Sequence, residues 1–175
     1  WQLFTHICLH GNWIHLAVNA LLFYYGAARL SHIFSNQRIC CLFFVCGLGS
    51  GLSHIVVQAF VPGIPPLVGA SGGVTGLLLG FFSISPDSKM IILNISARNL
   101  SKGVLVSSAL LFLMTPWLEI PLFADLGRWL ESTVGNFIFQ TAHLVHFVGG
   151  VLGWVLIGRF LPRLLSSDDL ARMRT

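Results

Sequence analysis

Charge is what this sequence has least of. Lysine and arginine number 10, aspartate and glutamate 6, and charged residues make up 9% of the 175-residue chain. A soluble domain carries roughly a quarter, so a water-soluble globule is excluded. The hydrophobic fraction is 55% and the mean hydropathy +0.81, which leaves an integral membrane protein built as a single helical domain. Acidic residues are missing from every long apolar run: Asp87, Glu119, Asp125, Glu131, Asp168 and Asp169 all fall in connections or near the end. Cysteine is sparse as well. Cys8, Cys40, Cys41 and Cys46 show no CxxC or Cys/His spacing, which excludes a zinc site and leaves small core hydrophobes. No cleavable leader with a basic start is visible, and the first residue is Trp1 rather than Met. The natural protein is therefore expected to continue on the amino-terminal side.

What is present is a set of apolar segments. Five spans are expected, over residues 13–28 with Asn12 as helix cap, 39–61, 67–84, 103–118 and 142–161. Several fall short of the ~20 residues that a lipid-exposed span needs, so neighbours must shield them. Residues 1–164 form the membrane domain in this reading, and 165–175 a cytoplasmic tail. Basic residues set the orientation. Arg29 and Arg38 bracket the first connection, Lys89, Arg98 and Lys102 lie in the third, and Arg159, Arg163, Arg172 and Arg174 close the chain. Arg128 alone falls opposite. The basic side is the cytoplasmic side, so the loop 62–66 and the stretch 119–140 face outward. The net charge of +4 then reflects topology, and no nucleic-acid partner is expected.

With this orientation, three polar sites arrive at one depth near the outer face. The first is Gly69-Ala70-Ser71-Gly72, a hydroxyl among glycines in uncharged sequence. It sits near the start of a helix, where free N–H groups and the positive dipole end favour developing negative charge. A serine hydroxyl is a weak nucleophile without a base, and His146 in the last span is the candidate base. His143 competes, being three residues away on a similar face; His146 is preferred for its spacing to Gly149 and Gly153. Close approach of the two helices is expected through Gly72, Gly76 and Gly80 on one and Gly149 and Gly153 on the other, since small-xxx-small stripes allow backbone contact. His15 and Asn19 lie one turn apart in the first span and share a face. Aimed at the same cavity, they could donate hydrogen bonds to an oxyanion. With no acid in a span, a Ser–His dyad is expected rather than a triad.

These residues carry a resemblance. His10-Gly11-Asn12-Trp13-Ile14-His15-Leu16-Ala17-Val18-Asn19, then GASGG at 69–73, then His146 with Gly149 and Gly153, resemble the rhomboid family of intramembrane serine proteases over roughly residues 1–161. The resemblance implies an all-α, polytopic transmembrane bundle with a six-helix core, of which five spans are visible and the first helix lies outside this sequence. It implies a serine endopeptidase that hydrolyses transmembrane protein substrates near the outer membrane face without metal or cofactor. Ser71 is then the nucleophile and His146 the base. His15 and Asn19, with the backbone at Ala70 and Ser71, serve the oxyanion hole, and Gly69, Gly72, Gly76, Gly149 and Gly153 pack the site. A bacterial cytoplasmic membrane is the expected location, with the active site toward the outer face and the carboxyl terminus in the cytoplasm. By the same analogy the stretch 119–140 is an outer cap and the helix around 103–118 a lateral gate. One departure stands out: family members often place an aromatic four residues after the serine, and here the position holds Thr75.

Other readings attach to the remaining polar residues. His6 and His10 are expected in a solvated loop rather than as a metal pair. His54 and Gln58 are expected to make interhelical hydrogen bonds. Trp1, Trp13, Trp117 and Trp129 suit an outer aromatic belt, and Tyr24 and Tyr25 an inner one. The sequons at Asn94 and Asn99 fall on the cytoplasmic side and should be unmodified. Two rival functions are a catalytically inactive rhomboid-like protein that binds transmembrane clients, and a haem or metal carrier using His15, His54, His143 and His146. The carrier reading leaves the GASGG motif unexplained, and iron-free, zinc-free purified protein would separate it from the others.

Overall fold

The computed structural model describes residues 1–61, 63–89, 94–135, 138–139 and 142–164. It is all-helical among the described residues: α1 (Gln2–Thr5), a 3-10 turn (His6–Cys8), α2 (Trp13–Leu30), α3 (Asn36–Phe60), α4 (Ser71–Ile84), α5 (Ala97–Leu113), a second 3-10 turn (Pro116–Leu118), α6 (Phe123–Val134) and α7 (His143–Leu164). Helices α2, α3, α4, α5 and α7 are the five expected spans. The expected tail, 165–175, lies outside the described residues.

Local chemistry sets most of the boundaries. Asn12 caps α2 as expected: its backbone is extended, and its side chain accepts from the His15 N–H at 2.8 Å. Ser96 does the same for α5 through the Asn99 N–H at 3.3 Å. Two helices depart from their expected bounds by four residues or more, and the others by at most three. Helix α4 begins at Ser71 rather than at residue 67, because Gly69 takes a φ of +120° that no helix contains. Helix α5 runs from Ala97 to Leu113 rather than over 103–118. Pro116 cannot donate an N–H to the preceding turn, so it opens a separate 3-10 turn instead.

Helix α4 is the central pillar. Its 14 residues span about 21 Å, short of the ~30 Å hydrocarbon core, and it survives there by being surrounded. It contacts α2, α3, α5 and α7, and Gly72, Gly73, Val74, Gly76, Leu77, Leu79, Gly80 and Phe82 are all buried. The core continues from Leu77 through Leu30, Phe34, Ile39 and Ile157 at one end of the bundle. Leu79 and Phe82 meet Ala97 of α5 beside it.

The outside of the bundle is greasy. Ile14, Leu21 and Tyr24 on α2, Phe44, Leu52 and Val56 on α3, and Val106 on α5 are exposed. Apolar surface of that extent is a liability in water and ordinary in lipid. Among the described helices, α3 alone is long and apolar enough by composition to cross a bilayer unaided; α4 and His143–Gly158 are shorter apolar helices. Cys46 is buried, but Cys8, Cys40 and Cys41 are exposed, so only one of the four cysteines is the core hydrophobe expected of them.

Candidate active site

Ser71 is the first residue of α4, and no side chain caps that helix end. The first N–H groups of α4 therefore reach the site unclaimed by a capping residue. Ahead of it, the Gly69 N–H donates to the His6 carbonyl at 2.8 Å. A Cβ on Gly69 would lie 2.9 Å from His15 Cε1 and 3.8 Å from Ser71 Oγ. The glycine thus occupies the gap between the His15 ring and the serine, and no larger residue fits.

On the other side, α4 and α7 meet backbone to backbone. A Cβ on Gly149 would collide with the Gly72 carbonyl, and one on Gly153 with the Gly76 carbonyl; a Cβ on Gly76 would stand 2.9 Å from the Gly149 oxygen. A Cβ on Gly72 would strike Ser50 Oγ and Val145 Cγ1. Val145 precedes His146, so this contact brings His146 beside the start of α4. Ser50 satisfies its own hydroxyl on the Gly47 carbonyl at 2.9 Å, which lets α3 close the third side.

The result is one cavity of about 940 Å³ into which Ser71, His146, His15 and Asn19 all project. Thr75 lines it too, one turn below Ser71, with its hydroxyl donating to the Ser71 carbonyl at 2.7 Å. Leu22 and Tyr25 of α2 and Leu100 and Val104 of α5 form its deeper walls. Among the described residues, no hydrogen bond joins Ser71 Oγ to the His146 ring. Ala70 does not line this cavity; it borders a smaller one of about 190 Å³ shared with Asn19 and His10.

The other histidines divide by what they touch. His143 Nε2 donates to the Ile138 carbonyl at 2.6 Å, and its ring stands edge-on to Phe139 and to His146, with centroids 6.4 and 6.5 Å away. A carbonyl only accepts, so that nitrogen carries the proton and is already engaged. His6 is buried, with its ring against Gly51, which corrects the expectation of a solvated loop: the amino-terminal turns pack onto α3. His10 stands edge-on to His15 at 5.1 Å. Among the described residues, His54 and Gln58 bond no other helix. His54 Nε2 donates to the Pro65 carbonyl at 3.1 Å and Gln58 Nε2 to the Ile64 carbonyl at 3.2 Å, so both anchor the loop leading to Ser71. Asn19 also spends one amide hydrogen within its own helix, on the His15 carbonyl at 2.9 Å, leaving the second for another acceptor.

The motifs did not point to the rim formed by Thr115, Trp117, Leu118 and Phe139, nor to α6. Within the stretch 119–140, Leu122, Leu126 and Trp129 recur at helical spacing and were the available signal for α6.

A bundle of helices with greasy outer sides and a largely apolar cavity that holds serine, histidine and asparagine side chains defines a polytopic membrane protein with an intramembrane-protease-like fold. The Rhomboid domain family model matches residues 1–163, and the chain belongs to the rhomboid family. It is similar to three proteins of Arabidopsis thaliana. RHOMBOID-like protein 1 is 30% identical over 140 residues, covering 79% of this chain and 34% of that protein. RHOMBOID-like protein 4 is 30% identical over 161 residues, covering 91% and 34%. RHOMBOID-like protein 5 is 36% identical over 78 residues, covering 45% and 25%. The chain thus spans about a third or less of the length of these relatives. No solved structure matches it.

Proposed function

We propose that this domain is a serine endopeptidase that cleaves transmembrane protein substrates within the bilayer. The observation that carries the reading is the convergence of Ser71, His146, His15 and Asn19 on one cavity. In this mechanism Ser71 Oγ attacks the scissile carbonyl carbon while the His146 ring takes the hydroxyl proton. The oxyanion is held by the uncapped N–H groups at the start of α4, by the His15 ring and by the free amide hydrogen of Asn19. The tetrahedral adduct collapses as His146 returns the proton to the leaving amine. Water, deprotonated by His146, then hydrolyses the acyl-serine ester. The engagement of His143 with Ile138 supports His146 as the base. No metal or cofactor enters these steps.

Basic residues on the opposite connections favour an orientation with the cavity toward the outer face and the carboxyl terminus inside. The relatives named above are plant proteins, so the reading is of a lipid bilayer in general rather than of a bacterial inner membrane. Substrate enters between α2 and α5, whose side chains wall the deeper cavity, with α5, the helix taken by analogy as the lateral gate, moving aside. A second reading, a rhomboid-like protein that binds transmembrane clients without cleaving them, is favoured by Thr75 at the position where relatives of this type often carry an aromatic.

Co-reconstitution of the full-length protein with a single-span substrate separates the two. Cleavage by wild type, lost by a factor of about 10⁴ or more in Ser71→Ala and in His146→Ala but retained in His143→Ala, supports the protease. Substrate co-purification without cleavage by wild type supports the binder.

A further inference from the structure

Helix α6 has two unlike exposed faces beside its packed one. Ala124 and Gly127 are buried. A Cβ on Gly127 would collide with the Met114 carbonyl and lie 3.6 Å from Phe139 Cζ, so the α6 backbone rests directly on the carboxyl end of α5. Leu122, Leu126 and Trp129, spaced four and three apart, form one exposed stripe at 68%, 44% and 62% exposure. About a quarter turn away, Asp125, Arg128 and Ser132 form a polar stripe. There Arg128 Nη2 donates to Asp125 Oδ1 at 2.6 Å in the open. Thr133 lies on the apolar side, but its hydroxyl is spent on the Trp129 carbonyl at 2.8 Å, so it presents no unpaired donor there.

The apolar stripe ends a series of exposed apolar side chains that begins on α5. Val106 and Leu110 of α5, Trp117 of the turn that follows, then Leu122, Leu126 and Trp129 are exposed in succession along the chain. We propose that α6 lies in the headgroup–acyl boundary of the bilayer, with Leu122, Leu126 and Trp129 immersed in lipid and the Asp125–Arg128 pair in water. An apolar stripe flanked by a charged one, with a tryptophan on it, is the pattern that such an interfacial helix requires. The position has a consequence for the large cavity. Phe139, against Gly127, lies on the cavity rim, and its neighbour Ile138 holds His143. A bilayer-seated α6 therefore fixes the height of that rim. The proposal stands independently of whether the site is hydrolytic.

Tryptophan quenching in phosphatidylcholine liposomes tests it. The fluorescence of Trp129 is taken as the difference between wild type and Trp129→Phe, with lipid brominated on the upper acyl chain or with aqueous acrylamide as quencher. Loss of roughly half or more of that signal to bromolipid, with little loss to acrylamide, is expected for an interfacial ring. In the Trp129→Phe background, Ser132→Trp should show the reverse preference, because it sits on the polar stripe. Quenching of Trp129 by acrylamide rather than bromolipid would overturn the proposal. Protection from both quenchers would also overturn it, showing that a protein surface or second copy covers the stripe.

Discussion

Ser71 owes its surroundings to residues that have no chemistry of their own. Gly69 leaves room for the His15 ring, and Gly72, Gly149 and Gly153 let two backbones touch. Adding a side chain at such a contact forces the helices apart. Gly153→Val should therefore cost at least about 1–3 kcal/mol, read as an earlier unfolding transition in detergent. Gly158→Val on the same helix, whose Cβ would meet nothing within 4 Å, should leave the transition unchanged. Asn19 makes a different prediction. One amide hydrogen is already committed to the His15 carbonyl, so Asn19→Ala removes a donor from the cavity and a helix-internal bond together. Its turnover should fall by about 10²–10³, the cost of one oxyanion donor, measured as kcat on a reconstituted substrate. The motif residues were legible because a serine among glycines, or a histidine in lipid-soluble sequence, is chemically conspicuous. His6 was not, since its burial depends on Gly51 of a helix 45 residues further along, which no local pattern encodes.

At the scale of elements, the five long helices follow the apolar runs, and Asn12 marks the start of α2 by a capping rule. Gly69 delays α4 until Ser71 and Pro116 cuts α5 short, while the Ser96 cap starts α5 at Ala97, six residues ahead of the expected 103. The roles of His54 and Gln58 also shifted. A polar residue in an apolar span can bond another helix or a nearby loop with equal local logic, and here the loop before Ser71 is the partner. His54→Leu should thus loosen residues 63–69 by the worth of one hydrogen bond, about 1 kcal/mol. Hydrogen exchange there should speed up about fivefold while the core of α4 stays protected. Helix α6 was read only as part of an outer connection, because its alternation of apolar and charged residues does not resemble a span.

For the whole molecule, the arrangement is a short buried pillar ringed by longer helices, with its start open to a cavity. Composition pointed to the lipid environment, and the proposed side rests on the distribution of lysine and arginine. In a background lacking the four native cysteines, Ser132→Cys should react with a membrane-impermeant maleimide added from outside. Ser88→Cys, on the connection after α4, should react only after permeabilisation; the opposite pattern would invert the orientation. The central claim is that the hydroxyl at the head of the pillar is activated. Fluorophosphonate treatment of the solubilised full-length protein, followed by peptide mass spectrometry, tests it most directly. The account predicts one phosphonylated residue, Ser71, with the adduct strongly reduced in His146→Ala. An unmodified Ser71 in folded wild-type protein, or an adduct as abundant in His146→Ala as in wild type, would contradict it.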